Sequence, residues 1–224
     1  LIDSFDKISF NDFKKIKYDN QYPKPYHFSW MDINHLDKLD NKSFPSISTL
    51  IENLQNWDRK AASSSIGAGT FLMLYHRLYK YYDEIPEPKI IPPSTLIQAL
   101  NDTKDYMMKY FGKLNVTLGE YQKLVRGYKE FPSFGLPDVV TAMHSKSYKD
   151  GKVKVVAGES YIELVKFSKN GVEIESIISY GNSEKKESEH FDDQMEMYLN
   201  FKTKKMTFDK DKIYKESKKI YNPK

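Results

Sequence analysis

GESYIELVKFSKNGVEIESIISYGNS, residues 158–183, decides the fold class. Its two halves, 159–167 and 172–180, are rich in Val, Ile and Tyr with stretches of alternation, as expected of strands that pack one face. Between them Asn170-Gly171 supplies the positive backbone angles of a tight hairpin turn, so the halves are predicted to be antiparallel neighbours. Residues 152–156 read as a further strand just upstream.

Outward from the hairpin toward the amino terminus, the period changes to that of helices. Pro92-Pro93 forces an extended linker, and Ser94 begins a helix with Leu96, Leu100, Met107 and Phe111 on one side, stopped by Gly112. Upstream, the bulky stripe Phe71, Leu72, Tyr75, Leu78, Tyr79 and Tyr82 predicts the most buried helix. The small residues Ala61, Ala62, Gly67, Ala68 and Gly69 before it predict a close helix approach at its start. Ile47, Leu50, Ile51, Leu54 and Trp57 fall at helical spacing after Pro45. Ser9 with Asp12, and Thr117 with Glu120, form capping-box patterns. The first predicts a helix through Phe13 and Ile16; the second predicts one over 121–125, ended by Gly127. After the hairpin, Phe191, Met195, Tyr198 and Phe201 predict a final helix, and Phe208, Ile213 and Tyr214 could dock the Lys-rich tail, whose last residues are expected to fray.

The arrangement is α+β, with a mainly helical region over 1–115 and a strand-bearing region over 116–224 that includes a final helix and tail. No internal repeat is present. With 224 residues, 39% hydrophobic and 14% aromatic, the chain can bury a core in one or two compact units. The 35 Lys and Arg against 31 Asp and Glu leave a formal charge of only +4, and the basic residues are interspersed with acidic ones. This is a solvated surface rather than a nucleic-acid footprint. Zero cysteines exclude a disulfide framework, a thiol nucleophile and thiolate metal sites. No run approaches the roughly 20 apolar residues of a membrane span. Leu1-Ile2-Asp3-Ser4 is neither a start nor a signal pattern, so Leu1 is expected to be a boundary made by processing or cloning.

Several blocks, in order, carry a resemblance. Gly158-Glu159-Ser160-Tyr161-Ile162, then Ile178-Ser179-Tyr180-Gly181-Asn182-Ser183, then His190-Phe191-Asp192-Asp193-Gln194 resemble the close of the large subunit in penicillin acylases and acyl-homoserine-lactone acylases. There a "GDSY" strand pairs with one ending in "GQS" or "GNS", followed by "SPHYxDQ". Leu118-Gly119-Glu120 with Leu124-Val125-Arg126-Gly127 is similar to that branch's "LGxVxxLVRG". Trp57-Asp58, Ala61-Ala62 and Ser64 are similar to its "WDGRA…S". Two departures stand out: Arg59 replaces the glycine after Trp57-Asp58, and the charged run Glu184-Lys185-Lys186-Glu187 replaces a small, proline-containing loop.

The resemblance implies the carboxy-terminal part of the large subunit of an amino-terminal-nucleophile hydrolase, whose fold is a four-layer αββα sandwich. Such a precursor cuts itself so that a serine becomes the large subunit's first residue, and its α-amine acts as base. Serine, oxyanion asparagine and backbone donor all precede the matched region, so no residue of this chain is assigned a catalytic, cofactor-binding or metal-binding role. Asn11, Asn20 and Asn34 lack the surroundings of the family's oxyanion block. The implied whole protein is a periplasmic or secreted amidase acting on the amide of a hydrophobic acyl chain, in a penicillin-like compound or an N-acyl-homoserine lactone. Antibiotic metabolism and quorum quenching are the corresponding roles. Its partners would be the rest of the precursor and the acyl amide substrate, with no nucleic acid and no membrane span. No cofactor is implied, and the structural calcium of some family members lies elsewhere. The alternative is a noncatalytic binding or scaffold domain that keeps the acylase fold. By itself the chain is expected to be inactive, and to aggregate or need a partner to become ordered.

Ser183, Ser188, His190, Asp192 and Asp193 include every residue type of a hydrolytic triad, but triads converge from separate elements, and these are crowded into one loop. Carboxylates ahead of a helix start fit the helix dipole better, and His190, Asp192 and Asp193 match no strong metal-ligand spacing. His76, beside Arg77, reads as a partly buried, hydrogen-bonded histidine. His27 with Tyr26, Phe28 and Trp30 reads as aromatic packing ahead of a pocket. Asp58 with Arg59 reads as a helix-end ion pair, and Arg126 as a tie between helices and sheet.

Overall fold

A computed structural model of the chain describes residues 2–23, 27–28, 31–85 and 87–220. Tyr26 and Trp30 lie outside them, and so do the tail's last residues, 221–224. The chain divides into two compact units, Lys15–Glu159, and Leu1–Lys14 together with Ser160–Lys224.

Helix α1 (Phe10–Lys17) opens where expected: Asp12 N–H donates to the Ser9 hydroxyl oxygen at 3.1 Å, and the Ser9 hydroxyl donates to the Asp12 carboxylate at 2.6 Å. Next come the short antiparallel strands β1 (His27–Phe28) and β2 (Met31–Asp32). The larger unit is then built on α2 (Ser48–Gln55), α3 (Ile66–Leu78) and α4 (Pro93–Phe111). Nearly every residue of α3 is buried, as its stripe predicts. Its Ser65 cap accepts the Ala68 N–H at 3.1 Å. The close approach at its start is real, but its agents are a ring and a backbone. A Cβ on Gly67 would come within 2.3 Å of the Trp57 ring, and one on Gly69 within 2.3 Å of the Val116 carbonyl oxygen. Helix α4 ends where Gly112 turns left-handed (φ 65°) and donates to the carbonyls of Met107 and Met108.

The capping box at Thr117 and Glu120 is formed, yet the helix it opens, α5 (Leu118–Tyr121), lasts one turn. The stretch expected to continue it is instead strand β3 (Gln122–Arg126). Gly127, with φ 57°, turns β3 into β4 (Lys129–Pro132) rather than ending a helix. The physical reason is tertiary pairing. Beyond the cap, β3 gains two neighbours, β4 on one side and β6 on the other, and Gln122 is buried in the sheet. With β5 (Met143–Ser147) and β6 (Val153–Gly158) the order is β4-β3-β6-β5, and β3 runs parallel to β6, so this sheet is mixed. The buried Gln122 amide is fully used: its Nε2 donates to the carbonyls of Phe134 and Gly135, each at 3.0 Å, and its Oε1 accepts the Ser145 hydroxyl at 3.0 Å. The core of this unit gathers Ile47, Leu50, Phe71, Leu74, Leu100 and Tyr121.

In the other unit, β7 (Tyr161–Ser168) and β8 (Gly171–Ile178) form the predicted hairpin, with Tyr161 opposite Ile178 and Ser168 opposite Gly171. Helix α6 (Met195–Leu199) is shorter than the stripe from Phe191 to Phe201 suggests, and Phe201 lies beyond it at φ 55°. Strand β9 (Lys204–Met206) pairs with β8, and α7 (Lys210–Glu216) follows. Phe208, Ile213 and Tyr214 are exposed, so the tail is not docked by them. Ile162, Leu164, Ile174, Ile177, Met195 and Tyr198 form this unit's buried side. The class is α+β.

Candidate functional site

Three places could carry chemistry: the loop after β8, the turn at Trp57–Asp58–Arg59, and a cavity beside α3. In the loop the quoted blocks fold onto each other. Gln194, 2% exposed, donates its backbone N–H to the Tyr180 carbonyl at 2.9 Å. Its side chain accepts the Ile178 N–H at 3.1 Å and donates to the Asn182 side-chain oxygen at 3.0 Å. Ser183 N–H donates to the His190 carbonyl at 3.0 Å, and a Cβ on Gly181 would come within 2.3 Å of that same oxygen. The polar residues of both blocks thus clasp the end of β8 to the start of α6.

His190 Nδ1 lies 2.9 Å from the Asp193 carboxylate, which is two-thirds of a triad by composition. The serines do not complete it. The Ser188 hydroxyl oxygen accepts the His190 backbone N–H and the Ser183 hydroxyl oxygen accepts the Lys185 N–H, while the outer imidazole nitrogen faces Glu189 at 3.6 Å. The imidazole and its carboxylates lie largely in solvent, so the pair lacks the sheltered convergence of acyl-transfer chemistry. Among the described residues no three His, Asp or Glu stand close enough together to hold a metal ion.

The turn at Trp57 is a second clasp. Trp57 Nε1–H donates to the Lys60 carbonyl at 3.0 Å, and the Asp58 carboxylate accepts the Lys60 N–H at 2.9 Å. The expected Asp58–Arg59 ion pair is replaced: the Arg59 guanidinium donates to the Pro23 carbonyl at 3.1 Å and lies 3.7 Å from Asp37. The reason is Arg59's left-handed backbone (φ 63°), which turns its side chain from its neighbour's. That conformation suits glycine, and glycine stands there in the resembled block. The following residues join to the third block: Gly119 N–H donates to the Ser63 carbonyl at 2.7 Å, and Leu118 N–H to that of Ser65 at 2.9 Å. Arg126 lies on β3 opposite Lys129. Asn20 offers its carbonyl to Ala61 N–H, Asn34 donates its N–H to the Asp32 carboxylate, and Asn11 lies on α1.

The cavity is the feature the sequence did not reveal. It holds about 760 Å³ within the larger unit, walled by the end of α3, by Tyr106 of α4, by Tyr121 of α5 and by β5. His76 Nδ1 lies 2.8 Å from the Tyr121 hydroxyl. Burial, then the charges of Arg77 and His144, push the imidazole down to about 4, while burial pushes the Tyr121 phenol up. Near neutrality, then, an uncharged ring faces a protonated phenol, and the ring's tautomer sets which of the two donates. Arg77, 9% exposed, lies 3.9 Å over the Tyr106 ring. The reading of His76 as a hydrogen-bonded, largely buried histidine fits this geometry. His144 and Lys146 are exposed on β5, alternating with the buried Met143 and Ser145, a period-2 pattern too short and too polar to signal a strand from sequence.

Comparison with known proteins follows the same blocks. The pattern of the family described as penicillin amidase matches residues 1–215. An acyl-homoserine lactone acylase PvdQ of Pseudomonas syringae pv. syringae (strain B728a) is 34% identical over 73 residues, 31% of this chain and 9% of that protein. That of Pseudomonas savastanoi pv. phaseolicola (strain 1448A / Race 6) is 30% identical over 98 residues, 42% of this chain and 13% of that one. That of Pseudomonas fluorescens (strain Pf0-1) is 22% identical over 181 residues, 70% and 23% respectively. The chain therefore matches less than a quarter of the length of these relatives. Among solved structures, a thermostable penicillin G acylase from Alcaligenes faecalis aligns with a TM-score of 0.40 and 16% identity, covering 88% of this chain and 48% of that one.

Proposed function

The chain belongs to the penicillin amidase family, and from that premise we propose that it is the carboxy-terminal scaffold of an amidohydrolase that removes a hydrophobic acyl chain from an amide. The observation that carries the reading is the family match over residues 1–215. In support, the motif residues of this chain are spent on one another: Gln194 on β8, Trp57 and Asp58 on their own turn, Gly119 on Ser63. Side chains committed in this way hold a frame together and leave the chemistry to residues elsewhere in the protein.

The proposed reaction begins with a serine that heads the large subunit after self-cleavage. A serine hydroxyl is a poor nucleophile at neutral pH, and its own α-amine, with a pKa of about 7.7–8, can take the proton directly or through water. The hydroxyl oxygen adds to the amide carbonyl, N–H donors hold the oxyanion, and collapse expels the amine. Water then releases the acid. No step is given to a residue of this chain, and no cofactor takes part. N-acyl-homoserine lactones and penicillin-like amides are the substrate classes, and the periplasm or the exterior is the proposed compartment.

The test is to isolate the full-length protein, sequence the first residue of its large subunit and measure amine release from a graded series of N-acyl-homoserine lactones and from penicillin G. A large subunit that begins with Ser and hydrolyses at least one series supports the proposal. A full-length protein without a processing junction, or without turnover on both series, would sink it.

A further inference from the structure

Arg77 occupies a position that ordinary packing does not explain. Its residue is 9% exposed, and among the described residues no carboxylate forms an ion pair with it; its guanidinium lies 3.9 Å over the Tyr106 ring. Buried charges in proteins are as a rule paired, and stacking on one tyrosine offsets part of the desolvation cost without neutralising the charge. The charged side chains that line the cavity beside it are all cationic. Lys80 and Lys146 line it with Arg77, and no Asp or Glu does. Tyr75, Tyr106 and Tyr121 give it aromatic walls, and its volume of about 760 Å³ falls within the range of small-molecule sites. The planar fork of an arginine is the group best matched to two carboxylate oxygens.

We propose that this cavity is a binding site for a small organic carboxylate with an aromatic or apolar body, its charge held by Arg77 and its body laid among the tyrosine rings. Lys80 and Lys146 stand exposed at the lining and draw the anion in without fixing its orientation. His76 stays uncharged near neutrality and so adds no second buried charge. The inference rests on the surroundings of Arg77 and is independent of whether the protein hydrolyses amides.

The test is titration calorimetry on the full-length protein, with 3-phenylpropionate as the probe and 3-phenylpropionamide as its neutral counterpart. The acid is expected to bind at least tenfold more tightly than the amide, and Arg77→Met to weaken the acid at least tenfold with little effect on the amide. A double variant, Lys80→Met with Lys146→Met, changes only exposed side chains and keeps the test decisive if Arg77→Met does not fold. It is expected to weaken the acid several-fold and to flatten the salt dependence of binding. Equal affinity for acid and amide, or acid binding unchanged in both variants, would overturn the proposal. So would no binding by folded wild type, which would mean that a carboxylate from elsewhere in the protein already neutralises Arg77.

Discussion

His76 gives the sharpest consequence at the scale of single residues. Its folded pKa, about 4, lies below the ordinary 6.5 of an exposed histidine. Above pH 6.5 the ring is neutral whether folded or unfolded and adds no pH dependence. Below it the unfolded ring takes a proton that the folded ring refuses, so stability falls as pH drops from 6.5 to about 4, by roughly 3 kcal/mol in all. Replacing His76 with Gln should remove that increment, seen as a shallower decline of the urea midpoint between pH 7 and 4; identical declines in wild type and variant would contradict it. Gln194 gives a second. Gln194→Leu keeps the volume but strands the Ile178 N–H and the Asn182 amide, and should cost about 2–3 kcal/mol in a denaturant titration. Such roles were partly legible. The capping pairs at Ser9 and Thr117 name their own partners three residues away, whereas the partner of Arg59 is Asp37, and no local spacing points there.

Elements were readable where local signals agreed and misread where pairing at long range decided. The hairpin of β7 and β8 carries alternation and an Asn-Gly pair together, and its strands pair antiparallel as expected, although the turn centres on Lys169-Asn170 and only Gly171 of the Asn-Gly pair has a positive φ. Strand β3 carries a helix cap just ahead of it and a glycine just behind it, and only its pairing with β4 and β6 overrides them. Strands β4 and β5 give little strand signal because Lys, Glu, His and Ser fill them, even though each pairs with a neighbour close in sequence, β4 with β3 and β5 with β6. The packing of α3 yields a prediction at this scale. Gly69→Ala drives a Cβ into the Val116 carbonyl, which backbone cannot readily evade, and should lower stability by about 1–3 kcal/mol. Gly112→Ala meets no atom within 4 Å and pays only for its left-handed backbone, about 1 kcal/mol. Thermal melts of the two should therefore rank Gly69→Ala lower; the reverse order would show that the α3–α5 contact is looser than described.

At the scale of the whole molecule, family kinship was legible and the site was not, for one physical reason. Blocks such as Trp57-Asp58 and His190–Gln194 are recognisable because each residue in them meets a fixed structural demand of the frame. A binding cavity instead draws His76, Tyr106, Tyr121 and His144 from separate elements and leaves no spacing to read. As proposed, this chain frames an amidase whose nucleophile stands elsewhere. The most direct measurement is amine release from N-acyl-homoserine lactones and penicillin G, compared between residues 1–224 alone and the processed full-length protein at equal concentration. Turnover by the full-length protein with none above background from residues 1–224 is the predicted result. Turnover by residues 1–224 freed of contaminating acylase would contradict it.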